Sequence, residues 1–395
     1  MFKGLHTIAR RLAPALGAAL LGIGIASCGS SSSSTGSGSS ATTPGGIGHV
    51  FVLVLENEDY SNSFGSATAA PYLSQTLPTM GALLQDFYGT GHNSNDNYLS
   101  MISGQAPNLD TQLDCQTFSD FNSTGTTSPG QAKGSGCVFP TSVQSLPDQL
   151  QAAGLSWKAY MEDMGNIPSR ESATCGHPAV GAKDGTQVAV NGDQYATRHD
   201  PFVYFHSIID NQSYCDSHVV NLDDSSAGLA ADLKSVSSTA NFIFITPNLC
   251  HDGHDSPCVD GEPGGLTSIN TFLQQWVPQI VNSPAFQQDG LLIITFDESN
   301  GPTNDSSACC GEGIAPNTLL PGLLGLGGGK IGAVLLSPFI KAGTVSTTDY
   351  NHYSMLRSIE DLFGLQYLGY AGGTGQASFG SDVYTQQMPV LPSKS

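Results

Sequence analysis

The chain has 395 residues, 33 Asp plus Glu against 13 Lys plus Arg, and a formal net charge of −20. That length is enough to bury a full core in one large or two ordinary domains. The scarcity of bases excludes the phosphate-neutralising grip on which nucleic-acid binding depends, and it argues against electrostatic docking on an anionic membrane surface.

Residues 1–27 have the layout of a bacterial secretory signal. Lys3, Arg10 and Arg11 precede an apolar, Ala/Gly-rich run from Leu12 to Ile25, too short and too rich in glycine for a stable span. The run closes on Ile25-Ala-Ser-Cys28, which resembles a lipobox, the motif whose Cys becomes the acylated first residue. A Ser/Gly-rich tether over 28–46 follows, then a catalytic domain over 47–371 and a polar tail over 372–395. The expected product is an exported monomer, periplasmic or at the cell surface, held to the membrane only by its N-terminal lipid, or else secreted.

Within the domain, His49–Leu55, Asn241–Thr246 and Gly290–Phe296 are short apolar runs rich in β-branched and aromatic residues. Such runs read as strands buried on both faces of a largely parallel sheet. Leu155–Tyr160 and Ile331–Leu336 are further strand candidates. Helical spacing occurs over Pro71–Gln85, over Leu266–Val281 with an interruption at Pro278, and over Tyr353–Phe363 with Gly364 as its stop. Asn108–Pro140, rich in Ser, Thr and Gly, reads as a stapled surface excursion. The pattern predicts an α/β domain with a mostly parallel central sheet. Apart from Cys28, eight cysteines remain, an even count that predicts four disulfides in an exported chain. Nearest-neighbour pairing gives Cys115–Cys137, Cys175–Cys215 and Cys250–Cys258. Cys309 and Cys310, being adjacent, are expected to bond to separate partners. Zinc is the rival use of these cysteines, but no C-x2-C pair supports it.

Each long apolar run breaks off into polar groups. Glu56-Asn57 follows the first, Asn248 and the cluster His251-Asp252-Gly-His254-Asp255 follow the second, and Asp297-Glu298 follow the third. In parallel sheets ligands bind beyond the carboxyl ends of the strands, so these side chains are expected to share one crevice. Two adjacent buried acids are costly unless a cation neutralises them. Gly91-His92-Asn-Ser94-Asn-Asp-Asn97-Tyr98 precedes a helical stretch. A serine at a helix N-terminus is a plausible nucleophile, because free N–H groups there favour an anionic substrate oxygen, although N-capping alone would also explain it. Asn351-His352 precedes the last helix. No G-x-S-x-G elbow and no H-E-x-x-H occurs, and Gly327-Gly-Gly-Lys330 lacks the remainder of a P-loop.

In this order, Glu56-Asn57, His92-x-Ser94-x-x-Asn97-Tyr98, His199-Asp-Pro-Phe, Asn248 to Asp255, Asp297-Glu298 and Asn351-His352-Tyr resemble the phosphoesterase family. That family comprises bacterial and fungal acid phosphatases and non-specific phospholipases C of the alkaline phosphatase superfamily. The resemblance implies an alkaline phosphatase-like α/β/α sandwich. It also implies a divalent metal (Ca, Mg, Mn or Zn) held by Glu56, Asn57, Asp297, Glu298 and Asp252. Ser94 would be the nucleophile. His199, His254 and His352 would be catalytic groups lining the phosphate pocket, and His352 or His254 would protonate the leaving oxygen. Asn57, Asn97, His92 and Asn248 would contact substrate. Where the phospholipase branch reads Glu-Asn-Arg-Ser-Phe-Asp, this chain has Glu56-Asn-Glu-Asp-Tyr60, which favours the phosphatase branch. The expected activity is hydrolysis of phosphate monoesters through a phosphoserine, on a phosphorylated small molecule or lipid. The alternatives are a phospholipase C or phosphoinositide phosphatase on the same scaffold, and a non-catalytic, calcium-stabilised surface lipoprotein.

Overall fold

The computed structural model describes residues 46–384 apart from Gly313, so the leader and most of the tether lie outside the described residues. Eight strands form one sheet: β1 (His49–Leu55), β2 (Ala82–Leu84), β3 (Trp157–Met161), β4 (Val219–Asn221), β5 (Phe242–Thr246), β6 (Gly290–Phe296), β7 (Ala333–Leu336) and β8 (Thr344–Ser346). Their spatial order is β8-β2-β7-β6-β1-β5-β3-β4. Only β7 runs against the others. β1 is central, in register with β5 on one side and β6 on the other (Val52 opposite Phe244 and Ile293). All residues of β1, β5 and β6 are buried, the condition that made them legible as continuous apolar runs.

Three helices matter to the site: α1 (Ser94–Ser103), α2 (Gly265–Val281) and α3 (His352–Phe363). α2 turns Ile269, Leu273, Trp276 and Ile280 into the core and runs through Pro278 without a break. A proline so near the end of a helix removes one donor and leaves the preceding turns intact. Over Pro71–Gln85 the expected helix does not form. A π turn (Tyr72–Thr76) and a 3-10 turn (Leu77–Thr79) lead instead into β2. Pro78 and Gly81 interrupt the helical run, and Ala82-Leu-Leu84 is drawn into the sheet.

The excursion after Asn108 carries an antiparallel hairpin, Asn122–Thr127 with Gln131–Ser135, and the Cys115–Cys137 disulfide. Cys175–Cys215 and Cys250–Cys258 also form. Cys309 and Cys310 bond to each other rather than to separate partners. The stretch 372–384 is packed rather than a free polar tail: Phe379 and Val383 are buried, and Asp382 accepts from the Tyr350 hydroxyl at 3.0 Å. No helix among the described residues is long and apolar enough to cross a membrane.

Candidate active site

Because β1, β5 and β6 are parallel, their carboxyl ends open on one edge, and backbone bonds hold those ends together. Glu56 N–H donates to the Asp252 carbonyl at 2.9 Å, and Asp297 N–H donates to the Leu55 carbonyl at 2.9 Å. Asn57 sits at φ +58°, a left-handed conformation that asparagine tolerates better than most residues. That turn points its N–H at Asp297 Oδ1, 3.0 Å away. Its side-chain amide donates to Glu56 Oε2 at 3.0 Å.

The Ser94 hydroxyl, first residue of α1, donates to the same Glu56 Oε2 at 2.9 Å. Ser94 and Glu56 are both buried. His199 lies on the other side of Glu56, its ring stacked on Tyr98 at 5.0 Å between centroids and 5° between planes. Burial, with Arg198 and His254 nearby, holds His199 well below the usual imidazole range, so the ring is neutral. Its Nδ1 pairs with Asp252 Oδ2 at 3.1 Å, and its Nε2 faces Glu56 Oε1 at 3.3 Å. With the ring proton on Nδ1, two lone pairs confront each other across that gap.

Carboxylates crowd the remainder of the site. Burial, then the charges of Asp297 and Asp252, push Glu56 well above its ordinary range. Burial also raises Asp252 and Glu298, and lifts Asp297 to about 6. Glu56 Oε1, Asp297 Oδ2 and His199 Nε2 are buried without a hydrogen-bond partner. Oxygens of Glu56 and Asp252 and a nitrogen of His199 lie within 4.8 Å of one another. Hard oxygen donors plus one imidazole suit a divalent cation, and one would give the unpartnered atoms of Glu56, Asp297 and His199 a partner. The residues present therefore fit the implied metal. His199 lies among these donors, whereas the resemblance implied a catalytic group lining the phosphate pocket.

The other expected residues separate into two groups. His254 is at the mouth: its Nδ1 pairs with Asp255 at 2.8 Å, and its Nε2 accepts from Arg198 at 3.0 Å. His352 is buried, and its Nε2–H donates to the Asp297 carbonyl at 2.6 Å. Burial lowers it to about 4, so it is neutral at ordinary pH. The Nε2–H bond ties His352 to Asp297, and the expected role of His352 as a proton donor to the leaving oxygen stays a proposal. His92 donates no contact to the mouth either; its Nδ1 meets Glu298 Oε2 at 3.2 Å and its Nε2 the Asp305 carbonyl at 2.8 Å.

Asn97 and Asn248, expected to touch substrate, are engaged in holding backbone. Asn97 Oδ1 accepts from the Thr90 and Gly91 N–H groups at 2.9 and 3.0 Å, while its amide donates to the Gly91 carbonyl at 2.9 Å. Asn248 accepts from the N–H groups of Cys250 and His251 at 3.0 and 2.9 Å and donates to Asp163 at 2.9 Å. Two residues were missed in the sequence. Arg198, buried beside His254, is the guanidinium whose charge counters Glu56 and Asp252. Asp96 is buried with both carboxylate oxygens unpartnered and is pushed well above its ordinary range by burial and by Glu298. Arg198 directly precedes the His199 motif, and that adjacency was the available signal. Asp96, inside a run of Asn and Ser, offered none.

The profile of the Phosphoesterase family matches residues 70–366. Among curated proteins, the chain is 24% identical to an acid phosphatase of Aspergillus fumigatus over 81% of its own length and 55% of that protein's. It is 23% identical to a probable acid phosphatase of Kluyveromyces lactis, over 81% and 59%. It is also 23% identical to a phosphatidylinositol-3-phosphatase of Mycobacterium tuberculosis, over 82% and 79%. The chain thus spans between half and three-fifths of the length of these fungal relatives. Among solved structures, a protein in the alkaline phosphatase superfamily from Vibrio parahaemolyticus aligns at 12% identity, TM-score 0.45, covering 81% of this chain and 67% of that one. The chain belongs to the Phosphoesterase family.

Proposed function

We propose that the protein is an exported, metal-dependent acid phosphatase that hydrolyses phosphate monoesters through a phosphoserine on Ser94. One observation carries the reading: a buried serine hydroxyl at a helix N-terminus donates at 2.9 Å to the buried Glu56 carboxylate. As the bond from Ser94 Oγ to phosphorus forms, Glu56 Oε2 takes the hydroxyl proton. The positive end of the α1 dipole favours the charge that gathers on the phosphoryl oxygens, although the Asn95 N–H is already given to Asp114 at 3.0 Å. Asn57 orients Glu56, and Asp252 with Tyr98 fixes the ring of His199. Of the three expected histidines, His254 is the partly exposed one; once it takes a proton from solvent on Nε2 and Arg198 lets go, it delivers that proton to the departing alcohol. Water then attacks the phosphoserine, giving one proton to His254, while Glu56 returns its proton to Ser94 Oγ as the phosphorus–oxygen bond breaks and inorganic phosphate leaves.

Glu56, Asp297, Asp252 and His199 would hold the cation, with Asn57 and Glu298 beside them. When bound, it supplies Lewis-acid stabilisation of the phosphoryl oxygens and of the serine oxygen. Four disulfides among the described residues support export, since such bonds persist in oxidising compartments. Acylation at Cys28 is tested by incorporation of labelled fatty acid, which Cys28→Ala should abolish.

Hydrolysis of p-nitrophenyl phosphate and bis-p-nitrophenyl phosphate, with and without EDTA, tests the activity. Monoester turnover lost with EDTA and restored by one divalent metal is expected. Ser94→Ala should lower kcat by at least about 10³-fold while leaving the fold intact. Near-native turnover in that variant would refute the nucleophile. Diester-only turnover would favour the phospholipase reading, and no turnover of either would favour a calcium-stabilised binding protein. A second reading, a lipid-borne monophosphate, draws support from the phosphatidylinositol-3-phosphatase relative.

A further inference from the structure

Thr90, close in sequence to Ser94, and Tyr353, next to His352, line a cavity of about 400 Å³, within the size range of small-molecule sites, about 300–1,000 Å³. Its floor is a satellite apolar cluster, Ala106, Ala315, Tyr353 and Tyr370, separate from the main core. The Cys309–Cys310 disulfide forms part of its wall. The half-buried Glu312 is its one carboxylate. Desolvation pushes that carboxyl to about 8, so the lining carries no charge under acidic conditions.

The mouth is more unusual than the floor. From Ile314 to Gly329 the chain contains no charged residue, and it leaves Ile314 84%, Leu319 82% and Leu326 63% exposed. Scattered exposed leucines need no explanation, but a contiguous apolar rim around a cavity marks a binding surface.

That rim is tied to the nucleophile. The Pro321 carbonyl, in the cavity wall, accepts from the His92 N–H at 3.3 Å. Thr90, also in the wall, is held by Asn97 of α1 through its N–H at 2.9 Å. Gln112 donates to the Leu320 and Pro321 carbonyls at 2.8 Å each, and its own carbonyl accepts from Asn93, next to Ser94. Leu109 and Leu113, both exposed, flank Gln112. The cavity wall is therefore joined through Thr90 and Pro321 to the loop that carries Ser94, and exposed apolar side chains stand on both joined segments.

We infer that this cavity is the alcohol subsite of the enzyme and takes the apolar group of a phosphate monoester, an aryl or medium-chain alkyl ester, while the phosphate lies at Ser94. The inference rests on the phosphatase reading and adds a substrate class to it. The chemistry is unchanged: the bond from Ser94 Oγ to phosphorus forms, the bond from phosphorus to the apolar alcohol breaks, and the alcohol leaves with one proton.

The test compares kcat/KM for octyl phosphate, 1-naphthyl phosphate and glycerol 2-phosphate. The wild-type protein should favour the two apolar esters by tenfold or more. Leu319→Asp, at an exposed position where folding is not at stake, and Ala315→Phe, which fills the floor, should each erase that preference. Both should leave glycerol 2-phosphate turnover unchanged. Equal kcat/KM for all three esters in the wild type would overturn the subsite. So would an equal fall for all three in Leu319→Asp, or a loss of self-association with no change in selectivity. Binding to Ser94→Ala protein, followed by calorimetry, separates this inference from its premise. If the wild type hydrolyses none of the esters, tighter binding of octyl phosphate than of glycerol 2-phosphate upholds the cavity while the phosphatase reading fails. Equal binding of the two overturns the cavity as well.

Discussion

At the residue scale, the site works because short polar side chains fix the backbone around it. Asn97 is the clearest case: it bridges the Thr90–Gly91 turn and the first turn of α1, and it also reaches Glu298 at 3.4 Å. Asn97→Ala would leave two buried N–H groups without an acceptor and should destabilise the fold by about 2–4 kcal/mol. Urea denaturation measures that loss directly; a change in KM with unchanged stability would instead make Asn97 a substrate contact. Much of this layer was legible. Glu56, Asn57, Asp297 and Glu298 follow strands whose apolar runs announce them, and Ser94 precedes a helix. What was hidden is direction. No spacing rule reveals that Tyr98 stacks under His199, or that His352 turns its Nε2–H back onto the Asp297 carbonyl. Those are products of tertiary packing, and they decide which partners each of the two histidines meets.

At the element scale, the long strands β1, β5 and β6 were readable because burial on both faces leaves no polar interruption. β2, β4 and β8 were not, since three residues carry no period and their pairing is decided by neighbours far along the chain. The last helix was legible from its apolar face and its stop. Asn351 caps α3 by accepting from the Ser354 N–H at 2.8 Å, and Gly364 ends it at φ +67°. A Cβ added at Gly364 would meet nothing within 4 Å, so Gly364→Ala tests conformation alone. It should cost about 1 kcal/mol, read as a lower denaturation midpoint with unchanged kcat/KM, because the cap lies at the far end of α3 from His352.

At the scale of the whole molecule, buried acids set the pH response. Glu360 on α3 is buried, with one oxygen accepting from the Leu368 N–H at 2.8 Å and the other unpartnered. Burial raises it from 4.5 to about 9. Between those values the folded state keeps a proton that the unfolded chain has released, so stability falls as pH rises through that window and is greatest below it. Denaturation followed from pH 4.5 to 9 should show that decline, and Glu360→Gln should flatten it. A wild-type profile that instead rises over this interval would rule Glu360 out as the controlling group. The sign agrees with the acid phosphatase activity proposed above.

The polarity of β1 has a practical consequence. The described chain enters the sheet at His49 and reaches Glu56 only after traversing the whole strand, a path of about 20 Å at roughly 3.3 Å per residue. A bead or carrier attached upstream of Ile47 therefore meets the described domain at the amino end of β1, away from the strand end that carries Glu56. Immobilisation through that end should leave the mouth unobstructed.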